Sequence, residues 1–340
     1  MNNLNPALKN STCIGGAPAP VGGTPAPVGG RPTPVGGQAV LEGVMMRSVG
    51  RVSTAVRLPS GEITVNGWSY VSFTRRLGVL GWPVIRGCVT FLEMTVIGVR
   101  TLNWSADVAM RADDSSKAKP SSSGNSWALA LSTMVALIAG VGLFFFTPLA
   151  VSQWLGVAKD ATAFNLVAGA VRVTLFVGYM WALSLSKEFQ RVFEYHGAEH
   201  KTIAAFEADA PLTPDSCATF TRFHPRCGTS FILIVAVLAI FVFAISDTLY
   251  ATITGDAPSL LKRFALHVSL LPVVSGVAYE ALRLSTRTVT HPVTRALIQP
   301  GLWLQRITTR EPNPAQLEVA IAALQDALAR GDRPSQAVSA

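Results

Sequence analysis

The chain has 340 residues, a formal charge of +8 from 28 Lys+Arg against 20 Asp+Glu, and only 14% charged residues. Soluble domains average about 25% charged residues, and the mean hydropathy is +0.38, so the composition argues against an ordinary cytosolic globule and places part of the chain in lipid. The basic excess is spread over loops and helix ends without interleaved aromatics, which argues against a nucleic-acid partner. Cys13, Cys88, Cys217 and Cys227 have no regular spacing, so no disulfide framework is expected.

The first thirty residues lack an apolar run after a basic start, so no cleavable signal peptide is expected. Pro18–Gly23, Pro25–Gly30 and Pro32–Gly37 repeat every seven residues. Pro and Gly at this density build no packed core, and residues 1–37 are read as a disordered or polyproline-like tether, in preference to a ligand for a proline-binding partner. Residues 38–75 form a small β unit: Thr54–Leu58 and Glu62–Val65 flank the turn Pro59-Ser-Gly61, and two or three strands are expected between 39 and 70.

Residues 77–111 are apolar, but Arg86, Glu93 and Arg100 recur every seven residues and share one helical stripe. Each charge at the bilayer centre would cost about 2.5–3.5 kcal/mol. This helix is therefore expected to lie in the membrane surface or against other helices rather than to span. Residues 112–126 read as a linker. Four stretches follow, 127–149, 166–185, 229–249 and 264–282, each near the 20 or so residues that cross a bilayer. The fold class is thus a mainly α membrane protein with four transmembrane helices, amphipathic interfacial helices and a small N-terminal β unit. Residues 285–331 hold a broken interfacial segment and an amphipathic helix, Pro314–Leu328, whose stripe is Leu317, Ile321, Leu324 and Leu328, with Gly331 to stop it.

Twelve Lys/Arg precede residue 126, five lie in 185–228 and seven follow 282, against one and two in the remaining connections. By the positive-inside rule both termini and the 186–228 loop face the cytoplasm of an inner-membrane protein. Arg172 and Asp247, near the outer ends of their spans, are expected to pair. His267 is read as hydrogen-bonded within the bundle.

The chemistry lies in the 186–228 loop. His196-Gly-Ala-Glu-His200 puts two imidazoles one helical turn apart, where they can ligate one cation. The pattern His-x-x-Glu-His matches the inverted zinc-protease signature, in which the Glu, here Glu199, acts as general base. His224-Pro-Arg-Cys227 supplies a second pair of metal-capable groups in the same loop. Three readings stand. A closed structural zinc site uses His196, His200, His224 and Cys227. An open site uses three of these, or Glu207 or Glu280 as third ligand. A solvated His pair holds no metal. Glu280 is an intramembrane carboxylate, a site candidate weighed against an ion pair with Arg283 or Arg287.

Gly36–Arg47, Tyr195–Ile203, His224–Phe231 and Pro300–Pro312 together resemble the YqhQ-like family, the bacterial domain-of-unknown-function 1385 group, over residues 36–330. The resemblance implies a polytopic membrane protein, described for the family as a predicted metal-dependent enzyme. It marks His196, Glu199, His200, His224 and Cys227 as the metal-site candidates and implies roles for Glu42 and Arg47, whose alternative is an ion pair or turn contact within the β unit.

The first functional expectation is a metal-dependent hydrolase holding zinc or another divalent ion and acting on a membrane-associated substrate. The second is an assembly protein with a structural metal that docks a cytoplasmic protein partner. A transporter, motivated by Glu280 and His267, is the weakest, because no inverted repeat is visible.

Overall fold

The computed structural model describes residues 35–114, 126–288 and 291–329. The tether over 1–34, the linker over 115–125 and the expected stop at Gly331 lie outside the described residues. The strands are β1 (Gly36–Val40), β2 (Gly43–Arg47), β3 (Arg51–Arg57) and β4 (Ile63–Ser69). The first helices are α1 (Phe73–Arg76), α2 (Ile85–Asp114), α3 (Ser126–Val141), α4 (Thr147–Trp154) and α5 (Ala161–Leu183). They are followed by α6 (Lys187–Glu207), α7 (Pro214–Ala218), α8 (Gly228–Thr254), α9 (Leu260–Arg287), α10 (Pro292–Thr308) and α11 (Pro314–Leu328).

The strands form an antiparallel meander in the order β1-β2-β3-β4. The β3–β4 hairpin turns at Pro59-Ser-Gly61 as expected, with Arg57 opposite Ile63. The sheet has four strands rather than two or three, and it starts at Gly36, inside the last repeat. The β1–β2 turn was hidden because it is made by Leu41-Glu42, between Val40 and its partner Gly43. Neither residue is a usual turn former, and Glu42 itself takes a left-handed conformation (φ 53°).

Side chains alternate across the sheet with period two. Val40, Met45, Val52 and Val56 are buried against Ile97, Met94 and Trp104 of α2. Val44, Met46 and Ala55 are buried against Tyr195 of α6 and Leu317, Ala320 and Leu324 of α11. Each large apolar side chain buried this way contributes about 1.5–3 kcal/mol. Helix α11 is started by an Asn313–Gln316 capping box.

Helix α2 is not among the candidate spans. Its three striped charges are each satisfied. Arg86 Nε donates to Glu280 Oε1 at 2.7 Å, Glu93 accepts from Ser72 Oγ and the Phe73 amide, and Arg100 stacks over Trp68 at 4.7 Å. Leu92, Val96 and Val99 remain exposed as an apolar stripe.

Among the described residues, four helices are long and apolar enough to cross a membrane: Met134–Trp154, Ala161–Leu183, Gly228–Thr254 and Leu260–Ser285. The first contains a π turn at Gly142–Phe146. Pro148 has no N–H to give the carbonyl four residues back, that of Phe144, and Arg172 Nε donates to that oxygen at 3.1 Å. The expected Arg172–Asp247 pair does not form. Asp247 is instead held by Arg263 and His267, one turn apart on α9 and each 3.1 Å away, and by Asn165 at 2.9 Å. Glu280 pairs with Arg86 of α2, a long-range partner that helical spacing cannot reveal; the Arg287 side chain lies outside the described residues.

The sheet precedes the first span and α11 follows the fourth, yet the two pack together. Only an even number of crossings between them permits this.

Candidate metal centre

Helix α6 starts just beyond the end of α5, and its mid-portion, from Tyr195 to Thr202, is largely buried. The His196 and His200 rings meet edge to face, with centroids 4.4 Å apart, as a spacing of four on a helix dictates. The Cys227 Sγ lies 3.2 Å from His196 Nε2. One ligand atom from each of His196, His200 and Cys227 falls within 4.8 Å of the other two. Bond lengths near 2.1 and 2.3 Å would place ligand atoms about 3.4–3.6 Å apart around tetrahedral zinc, and the 3.2 Å between His196 Nε2 and Cys227 Sγ is close to that spacing.

Their tautomers are set by backbone. His196 Nδ1 donates to the Thr308 carbonyl at 2.7 Å, and His200 Nδ1 donates to the Arg222 carbonyl at 2.6 Å. A carbonyl only accepts, so in the neutral form of each ring Nε2 is the nitrogen that carries the lone pair, the usual outer-layer arrangement of a histidine ligand. Cys227 caps the N-terminus of α8, where the helix dipole favours a thiolate, and Thr229 Oγ1 lies 3.1 Å from its sulfur.

Glu199 is buried, and its Oε2 has no hydrogen-bond partner among the described residues. It lies beneath strand β1 at Gly37, where a side chain would collide with its Cγ and Cδ. Two imidazoles and a thiol are a donor set that suits a divalent cation, and the buried Glu199 carboxyl, outside that three-residue group, is electrostatically coupled to His196 and Cys227.

The electrostatics agree with a tightly coupled group. Burial would raise the Cys227 thiol, but His196 and His200 beside it hold it well below 9.0. Burial pulls His196 down, yet the Cys227 sulfur overrides this and lifts it to about 9. Burial pushes Glu199 up to about 8, with His196 opposing. His200 and His224 are both lowered, chiefly by burial.

The other sequence candidates lie outside the three-donor group. His224 is adjacent, with its ring 5.6 Å from that of His200, but its Nε2 is 3.5 Å from Glu207 Oε2. Glu207 is shared with Arg226. Glu280 is with Arg86. Glu42 binds Arg191 on α6 and accepts from Tyr195 at 3.4 Å, so it ties the sheet to the helix that carries His196 and His200. Arg47 Nη1 contacts Met94 Sδ at 2.9 Å and its guanidinium lies over Tyr70, away from the donors.

Sequence reasoning missed the supports. The Thr308 and Arg222 carbonyls carry no side-chain identity, so no motif can signal them. Gln305 is fully buried, accepts from the His224 amide and donates to its carbonyl, both at 2.8 Å, and thereby pins the His224–Cys227 turn to α10. A polar residue amid Leu302-Trp-Leu304 is the one legible hint of it.

Comparison with known proteins bears on the whole of this region. A family model described as "Protein of unknown function (DUF1385)" matches residues 82–330. The chain is also 32% identical over 298 residues to "Uncharacterized protein YqhQ" of Bacillus subtilis (strain 168), covering 86% of this chain and 91% of that protein. No solved structure matches significantly.

Proposed function

The chain belongs to the DUF1385 family, and we propose that it is a zinc-type, metal-dependent hydrolase of the bacterial inner membrane. The carrying observation is the group His196, His200 and Cys227 with the buried, unpartnered Glu199 beside it. Three protein ligands leave a fourth position open, and His224, the fourth candidate, is directed to Glu207 instead. A divalent ion held by His196, His200 and Cys227 would supply a Lewis acid for hydrolysis. With a cation's charge nearby to keep its buried carboxyl ionised, Glu199 would take a proton at Oε2 and return it to the leaving group. The site lies where α5 ends and α8 begins, so a membrane-associated substrate fits best. The excess of basic residues in the connections at this end of the bundle supports a cytoplasmic location for it.

A structural metal in an assembly protein is the second reading. It is favoured by the burial of the donors, with His200 2% and Cys227 5% exposed. Metal analysis of the purified protein separates the two. Wild type and Glu199→Gln are expected to hold about one divalent ion per chain, and His200→Ala to lose it. Loss of cellular function in metal-loaded Glu199→Gln supports hydrolysis. Retained function in that variant supports the structural role. A metal-free wild type removes both.

A further inference from the structure

Beside the metal centre a cavity of about 440 Å³ is lined by Ser184, Glu194, Arg222, Arg306, Arg310 and Glu311, together with Ile307 and Thr309. That volume falls in the range of small-ligand sites, about 300–1,000 Å³. None of the three metal donors lines it, so it is a separate site.

Its charges do not cancel internally. Glu311 is engaged by Lys201 at 2.8 Å, with Arg222 Nε 3.7 Å away. Glu194 accepts from Gln316 Nε2 at 2.8 Å. Arg310 Nη2 donates to the Ser184 carbonyl at 3.1 Å. Among the described residues neither Arg306 nor Arg310 forms an ion pair with a carboxylate. Three arginines thus line one opening: Arg222 Nη1 donates to the Thr309 hydroxyl at 3.2 Å, and Arg306 and Arg310 have no carboxylate partner among the described residues.

The cavity's level in the fold narrows the anion. Ser184 caps the end of the second span. Helix α10 exposes Val293, Leu297 and Trp303 along one side, the character of a helix lying in the headgroup layer, and Arg306 stands in its last turn. Guanidinium forks match the paired oxygens of phosphate, and charge-assisted bonds of this kind are the strong ones.

We propose that this cavity is a phosphate-binding site at the membrane boundary, in which Arg306, Arg310 and Arg222 grip a phosphate group carried by a lipid headgroup or present free in solution. The site does not depend on whether the neighbouring donors hold a metal.

The test is calorimetric titration of the full chain in an uncharged detergent with inorganic phosphate and, separately, with a short-chain phosphatidate. Saturable binding of both, or of either alone, is expected. Phosphatidate alone identifies a lipid source, and inorganic phosphate alone a soluble one. Arg306→Gln, on an exposed side chain, and Arg310→Gln are each expected to weaken binding about tenfold or more. Lys159→Gln, which removes the same charge at the other end of the bundle, leaves it unchanged. The proposal is overturned if neither ligand binds, if sulfate at equal ionic strength binds as tightly, or if both arginine variants bind like wild type.

Discussion

The carbonyl oxygen of Arg310 presses onto Gly197, within the His-Gly-Ala-Glu-His run, so that no side chain fits between α6 and the α10–α11 connection crossing it. The Arg310 amide donates to the Phe193 carbonyl at 2.9 Å and locks the crossing. This contact seats Thr308, whose carbonyl orients His196. Gly197→Ala is expected to cost about 1–3 kcal/mol, because backbone rather than a flexible side chain must give way. Thermal unfolding and metal content measure it, and a variant that keeps both at wild-type values contradicts the crossing.

The donor set makes a graded prediction about metal affinity. His196→Ala, His200→Ala and Cys227→Ser are expected to abolish retention through dialysis. His224→Ala, which removes a neighbour of the group, is expected to cost about 10–100-fold in affinity, as outer-layer changes do. Competition with a chromogenic chelator reads the difference. A His224→Ala loss equal to that of Cys227→Ser makes His224 a fourth ligand and the site closed.

Inside the bundle, Asp247 is fully buried against Arg263, itself 2% exposed. Asp247→Ala leaves that guanidinium without its counter-charge and is expected to destabilise by about 3–5 kcal/mol. Asp247→Leu combined with Arg263→Leu is expected to recover much of the loss. Unfolding of the detergent-solubilised variants is the check; an equal loss in the double variant would mean that the pair is not the cause.

Glu42 and Arg191 join the sheet to α6 at a half-exposed position. Pairs of this kind contribute about 0.2–1 kcal/mol. A double-mutant cycle with Glu42→Gln and Arg191→Gln is expected to return a coupling in that range and to leave metal content unaltered. Metal loss in either variant would give Glu42 a direct part in the site.

Much of this architecture is legible in the chain because it rests on period and length. The four spans, the Pro314–Leu328 helix and the β3–β4 hairpin each announce themselves through apolar runs, a 3.6-residue stripe or a Pro-Ser-Gly turn. What stayed hidden depends on long-range pairing. Glu280 finds Arg86 across 194 positions, and Asp247 takes Arg263 rather than Arg172 because a proline had already given Arg172 a carbonyl. At the metal centre the His pair and Cys227 were visible as residue types. Which histidine stays out of the group is decided by Glu207 and by Gln305 on another helix, and no local spacing encodes that.

The β-sheet near the start of the chain shares its core with a helix near the end, and four membrane helices are threaded between them. The first strands to leave the ribosome therefore wait, with one greasy face uncovered, until the last helix has been translated and every hydrophobic segment inserted. Contacts this distant in sequence form late. Thr308 is among the late arrivals, so the imidazole it orients is set only in a finished chain. A nascent or C-terminally clipped product is a target for proteolysis before its His–Cys cluster is fully assembled.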